Sequence, residues 1–491
     1  MRLSPATLDV LPADVALPRY DRAAVKIGVV HLGIGAFHRA HQAVVFDDAL
    51  ASGDLRWGVM GASLRSSSVR DQLGPQTGLY TVAVRDGTGE RLRVIGSVLG
   101  VHVAPEDPAA LIEAMAHPDV HIVTLTITEK GYRLDPASGL LKVDDPEVAA
   151  DLRDLSRPVT APGFLVAALR LRRQRHLAPF TVISCDNLPN NGRRTQAAVL
   201  EMAVHIDPTL RDWIEAEVAF PQTMVDRIVP ATTTADVDGL AEQIGVRDEG
   251  MVKTEPFTQW VIEDRFCGPR PDLASLGVEL TDAVEPWENA KLRLLNGAHS
   301  ALAYLGALSG YEFVHEAVAE PALNAFVQRL WDEAHTTLDT PSGLDLVAYR
   351  SALMARFSNA TLRHRTRQIA MDGSQKLPQR LLNTVQLRLE AGQPIDALAL
   401  AIAAWMRWQE GTTESGETIV VEDPLAAETA ARLAGAVSDE DKVRALIGLE
   451  AVVPAVLAQD AQFVRVVTSA FDTLRRLGAV GAAASVVEVA G

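Results

Sequence analysis

The chain has 491 residues, 48% of them hydrophobic, and a net charge of −17 from 46 Lys and Arg against 63 Asp and Glu. That length suits two or three domains with ample core, and the acidic balance excludes general nucleic-acid binding, which calls for a basic surface. Cys185 and Cys267, the two cysteines, make neither a close-spaced metal pattern nor a disulfide framework.

Met1-Arg-Leu-Ser lacks the apolar core of a signal peptide, and no apolar run is long and uncharged enough to span a bilayer. A cytoplasmic protein without a membrane partner is expected, its oligomeric state open between monomer and dimer. Pro5, Pro12 and Pro18 make residues 1–24 an irregular lead-in. Lys26 to Leu32 reads as a buried strand ended by Gly33 and Gly35, and Phe37 to Leu50 as a helix. Further strands are expected at Trp57–Leu64 and Val120–Ile127, with a β-rich, glycine-broken stretch over Arg91–Val103 and a helix over Pro108–Ala116. Gly163–Arg175 has the pattern of a basic amphipathic helix, Phe180–Cys185 of a buried strand and Arg194–Ile206 of another helix. Strands alternating with helices predict an α/β fold with a parallel sheet. From Glu288 the alternation stops, and Ala- and Leu-rich segments such as Ala397–Gln409, Pro424–Ala436 and Val480–Ala490 predict a mostly α-helical domain. The expected division is 1–284 and 285–491, with the boundary at Asp282–Trp287.

The first strand runs into Gly33-Ile-Gly35-Ala-Phe37-His38. Glycine permits the tight bend and lets backbone N–H groups approach a pyrophosphate, so this is a candidate dinucleotide turn, although His38 stands where the third glycine of the usual fingerprint would be. At the end of the second strand, Arg65 and serines 66 to 68 replace the acid that would hold the ribose hydroxyls of NAD. Either Asp71 or a backbone group substitutes for it, or the 2′-phosphate of NADP is tolerated. Thr128-Glu129-Lys130-Gly131-Tyr132 follows the central strand and is expected to line the crevice at its carboxyl end. Asp186-Asn187 follows another strand; Asn187 both donates and accepts, which suits a polyhydroxylated substrate. Asp226-Arg227 is either a structural ion pair or a substrate contact.

Lys291, Asn296 and His299 recur within a helix-forming segment. At 100° per residue, Lys291 and His299 stand about 80° apart, with Asn296 about 60° beyond His299, so all three can face one cleft. A desolvated lysine there serves as general acid or base, and the amide and imidazole stabilise an oxyanion. Spacing alone leaves open a surface lysine, a capping asparagine and a core histidine. Glu288, one turn earlier, is either a proton relay or a surface partner of Lys291. Arg363-His-Arg365-Thr-Arg-Gln368-Ile-Ala-Met-Asp-Gly-Ser-Gln-Lys376-Leu-Pro-Gln-Arg380 carries many cations and one acid, a composition suited to a carboxylate.

Together these segments resemble the mannitol dehydrogenase family of polyol-specific long-chain dehydrogenases. The resemblance rests on Gly33-x-Gly35-x-Phe37-His38-Arg39-x-His41, Thr128-Glu129-Lys130-Gly131-Tyr132, Ser184-Cys185-Asp186-Asn187, Met224-Val225-Asp226-Arg227-Ile228 and Lys291-x4-Asn296-Gly297-x-His299. It implies a Rossmann-type domain followed by a helical domain, a nicotinamide cofactor, no metal, and a small sugar acid or polyol as substrate. It further implies Lys291 as acid/base, Asn296, His299 and Asn187 as holders of the reacting oxygen, and Asp226 beside the substrate. Gly33, Gly35, Phe37, His38, Arg65, Thr128 and Glu129 are the expected cofactor contacts. Within the family, the segment from His364 to Arg380 looks most like the fructuronate reductases, which interconvert D-fructuronate and D-mannonate with NADH; Arg365 and Lys376 would then meet the carboxylate. Asn187-Leu-Pro-Asn-Asn-Gly is closer to the mannitol 2-dehydrogenases, which are the alternative.

Overall fold

Short apolar runs that are buried on both faces can only sit inside a covered parallel sheet. Five such strands form the centre of the first part of the chain: β1 (Ile27–Leu32), β2 (Gly58–Ser63), β5 (Val98–Val103), β6 (Ile122–Leu125) and β7 (Thr181–Ser184). All their pairings are parallel, in the order β5-β2-β1-β6-β7. On central β1, Val30 stands opposite Met60 of β2 and Val123 of β6. The chain winds outward from β1 on one side, then returns to build β6 and β7 on the other. The crevice at the carboxyl ends of β1 and β6 is thus the switch point where such sheets bind ligands. The computed structural model describes residues 1–135, 138–341 and 343–488, which divide into two units, Met1–Glu285 and Pro286–Gly491.

Two smaller sheets complete the first unit. One joins β3 (Tyr80–Asp86), β4 (Gly89–Ile95) and β9 (Val252–Thr254); the other joins β8 (Thr223–Asp226), β10 (Gln259–Glu263) and β11 (Glu279–Thr281). The β-rich stretch expected over Arg91–Val103 is therefore two strands in different sheets. The reason is the hairpin that β4 makes with β3, where Asp86 pairs with Gly89 and only Gly87 and Thr88 stand between. The helix expected over Phe37–Leu50 is likewise two, Ala36–Ala40 and Gln42–Ala51, broken at His41, whose φ of −124° and ψ of −89° leave the helical region. The His41 ring is held there by the Gln259 carbonyl at 3.0 Å and a stack on Phe37.

The second unit is helical, with no strand beyond isolated bridges among the described residues. The helix Asp396–Trp408 is buried from Ala397 through Trp408, and an all-round buried helix belongs at the centre of a bundle. The helix Gly297–Leu308 is buried at every position except His299. The last helix, Ala461–Glu488, breaks at Gly478, whose φ of 70° and ψ of 173° are not helical; Val489 and Ala490, the expected end of this segment, lie outside the described residues. No helix among the described residues is long and apolar enough to cross a membrane.

Candidate active site

Gly33 leaves β1 with a φ of +91°, and a Cβ there would lie 2.2 Å from the Thr126 carbonyl oxygen. Only glycine fits this turn, for both reasons. A Cβ on Gly35 would meet nothing closer than 3.8 Å, so the space beside it is open. Phe37, also part-exposed, borders the same turn.

The turn is fixed from beneath. The Thr126 hydroxyl donates to the Gly33 carbonyl at 2.9 Å, so it must accept from Nε2–H of His31, also at 2.9 Å. Nδ1 of His31 then accepts from the Thr124 hydroxyl at 2.7 Å. Burial drives the His31 pKa down to about 3, so this neutral tautomer persists at ordinary pH. His38 stacks on His31 with ring centroids 3.4 Å apart and is fully buried. This corrects the expected cofactor contact at His38: its side chain does not reach solvent, so any contribution there comes from the backbone.

Beyond the carboxyl end of β2, Arg65 is exposed and without a hydrogen bond among the described residues. Asp71, the acid nearest in sequence, is held by Ser67 at 2.7 Å and Arg70 at 2.8 Å. Beyond β6, Thr128 has a φ of 64° and ψ of 165°, a conformation that strains a β-branched residue. Asp186 clamps it, accepting from N–H of Ile127 at 3.0 Å and of Thr128 at 2.8 Å, while the Tyr132 hydroxyl donates to the same carboxylate at 2.6 Å. Burial pushes the Asp186 pKa up, and the Tyr132 and backbone donors oppose the shift. Glu129 is exposed and pairs with Arg194 at 3.1 Å. Asn187 is exposed after β7, and Asp226 is buried at the end of β8. Its neighbour Arg227 donates to the carbonyls of Glu255, at 3.1 Å, and Ala40.

In the second unit, Lys291–Asn296 is a π-turn rather than the regular helix that the spacing suggests, with Gly297 N–H bonded to the carbonyl of Leu292 five residues back. One extra residue in a turn absorbs about 100° of rotation, so the arc spanned by Lys291, Asn296 and His299 narrows from about 140° to about 60°. The trio thus shares one face more closely than an α-helix would allow. Side-chain bonds hold the turn: the Trp331 indole N–H donates to the Leu294 carbonyl at 2.8 Å, and Arg293 donates to Thr337 Oγ1 at 2.9 Å. Gly297 lets the backbone of a second π-turn, Pro378–Leu382, approach; a Cβ there would lie 3.0 Å from the Arg380 carbonyl oxygen.

Lys291 is 6% exposed. The Asn296 side chain makes no capping hydrogen bond, and its backbone is helical with φ −72° and ψ −33°. His299 stacks on His364 and meets Phe357 at a tilt, both with centroids 5.4 Å away, and its Nε2 is buried without a partner among the described residues. Burial, then the charges of His364, Arg380, Arg356 and Lys376, hold the imidazole well below its ordinary pKa and hence neutral. Arg365 turns elsewhere: it pairs with Glu312 at 3.0 Å and lines a cavity of about 320 Å³ with Arg367 and Glu417. Lys376 donates to the carbonyls of Met371 and, at 3.3 Å, Ile369. Ser300 was not singled out by sequence reasoning, Asp186 entered only beside Asn187 in a shared motif, and His364 and Arg380 were not distinguished from the other residues of their segment.

The mannitol dehydrogenase Rossmann domain matches residues 27–275, and the mannitol dehydrogenase C-terminal domain matches residues 283–475. The chain is 46% identical over 471 residues to the D-mannonate oxidoreductase of Escherichia coli strain K12, covering 95% of this chain and 96% of that one. It is 38% identical over 491 residues to a mannitol 2-dehydrogenase of Phaeosphaeria nodorum strain SN15, covering 97% and 85%. Among solved structures, the Pseudomonas fluorescens mannitol 2-dehydrogenase ternary complex with NAD and D-mannitol is similar with a TM-score of 0.84 and 37% identity, covering 99% of this chain and 100% of that one. The chain therefore belongs to the mannitol dehydrogenase family and is an oxidoreductase.

Proposed function

We propose that this enzyme interconverts a keto-uronate and an aldonate, D-fructuronate and D-mannonate, with NAD(H) and with Lys291 as acid/base. The observation that carries the chemistry is the buried Lys291 on a π-turn that gathers Asn296 and neutral His299 to one face. The 46% identity to a D-mannonate oxidoreductase supports the substrate class.

The Gly33 turn fits the cofactor, since it is open at Gly35 and rigid beneath. Gly33, Gly35, Phe37, Thr128 and Glu129 would hold it, and Arg65 keeps the 2′-phosphate of NADP admissible. When bound, the nicotinamide exchanges a hydride with the carbinol carbon. Lys291 in its neutral form takes the hydroxyl proton during oxidation and returns it during reduction. Asn296 donates to the oxygen as negative charge grows on it, and neutral His299 adds a second donor without a competing full charge. Asn187 and Asp226 are the first unit's proposed substrate contacts.

Initial rates with D-mannonate and D-mannitol, each with NAD and NADP, test the assignment. Turnover of mannitol alone would replace it with a mannitol 2-dehydrogenase activity. Lys291→Ala is expected to lower kcat by about 10²- to 10⁴-fold while an NADH fluorescence titration stays near the wild-type curve. Wild-type turnover in that variant would remove Lys291 from the chemistry.

A further inference from the structure

Buried arginines are expected to have their donors answered, because an uncompensated charge away from water is costly. The second unit follows this rule at Arg388, which donates to the carbonyls of Pro394 at 2.6 Å and Glu333 at 2.8 Å, and at Arg407, which pairs with Glu410 at 3.1 Å. Arg380 breaks it. Among the described residues its one hydrogen bond runs from Nη1 to the Ser300 hydroxyl at 3.0 Å, and no carboxylate lies within ion-pair distance. Burial lowers its pKa only to about 10, so the charge persists at neutral pH. Its Nε and Nη2 make no hydrogen bond among the described residues.

The edge left over is the one that grips carboxylates. Arg56 holds Asp54 through Nε and Nη2, both at 2.7 Å. Arg70 uses the same two atoms on Asp71, at 3.0 and 2.8 Å. In Arg380 the Ser300 hydroxyl occupies Nη1 and leaves that planar fork intact. Ser300 follows His299 directly, and the Arg380 charge is near enough to help keep His299 neutral. Of the other cations of the segment, Arg365 is answered by Glu312, Arg367 by Glu417 and Lys376 by two carbonyls, while Arg363 is exposed over the Phe313 ring.

We propose that Arg380 is the residue that recognises the substrate carboxylate, presenting its Nε–Nη2 edge as a bidentate fork. This rests on the keto-uronate reading and moves charge recognition away from Arg365 and Lys376. Lys376 supports the segment that carries Arg380, and Ser300 orients the guanidinium.

The test compares D-mannonate with D-mannonamide, the same skeleton without the charge, at saturating NAD. Wild-type enzyme, Arg380→Gln and Arg380→Lys are assayed. Glutamine retains a donor for Ser300 and drops the charge; lysine keeps the charge and loses the fork. The wild type is expected to favour mannonate in kcat/KM. In Arg380→Gln that preference should fall about 10- to 100-fold, mainly through KM, and Arg380→Lys should recover part of it. An undiminished preference in Arg380→Gln, or equal losses on both compounds, overturns the role of Arg380 and leaves the keto-uronate reading standing. A wild type that favours neither mannonate over mannonamide nor mannonate over mannitol overturns that reading, and this inference with it.

Discussion

Asp186 carries no proton in the proposed reaction, yet it fixes the backbone of the loop at the sheet's switch point. Thr128 holds a strained conformation that costs about 1–3 kcal/mol, and the two amide bonds to Asp186 are what oppose its relaxation. Asp186→Asn preserves the shape but turns one acceptor into a donor facing Ile127 or Thr128 N–H. The expected result is a rise of about tenfold in the NADH dissociation constant, with a smaller change in kcat, read by fluorescence titration and steady-state rates. An unchanged dissociation constant would make the clamp structural only. The sequence marks Asp186-Asn187 but gives a role only to Asn187, because side-chain direction at a strand end depends on the pairing partner. For the same reason His38 reads as a ligand for the cofactor although its ring turns inward onto His31.

At the scale of elements, the π-turn is the feature that decides whether the trio converges. Its Leu294 carbonyl is met by the Trp331 indole, so Trp331→Phe removes one buried hydrogen bond and little volume. We expect a loss of about 1–3 kcal/mol in stability and a kcat reduced several-fold beyond what cofactor binding explains, measured by thermal melts and single-turnover rates. Full kcat in a destabilised variant would show that the turn persists without its tie. The helical character of Lys291–Leu308 is legible from its Ala and Leu content, but the extra residue is not, since six residues are too few to separate the two helical periods. The parallel sheet is legible because its strands are short, apolar and spaced by helices. The β3–β4 hairpin is missed because half of it, Arg91–Ile95, merges in sequence with β5, and only Gly96-Ser97 marks the change of sheet.

Across the whole molecule, desolvation holds several histidines in the neutral form, among them His31 and His38 under the glycine turn and His299 in the helical unit. Their pKa values are lowered by burial, so below the unfolded value of about 6.5 the unfolded chain binds protons that the folded chain refuses. The stability they allow is therefore complete above about pH 7 and declines as pH falls through 6.5, by about 1.4 kcal/mol per pH unit for each histidine until its lowered pKa is reached. Melting midpoints should be level from pH 8 to 7 and drop steeply toward pH 5; a level profile down to pH 5 would show that the rings accept protons in the folded state. None of this is visible in composition, where 12 histidines in a chain of net charge −17 suggest only solvated groups. The contact between Gly297 and the Arg380 backbone bears on how such an enzyme can be re-engineered. The segment proposed to select the substrate leans directly on the turn that carries Lys291, the proposed base. Exchanging residues 363–382 for those of a relative is therefore not a modular operation, and new specificity has to be designed together with the geometry of Lys291.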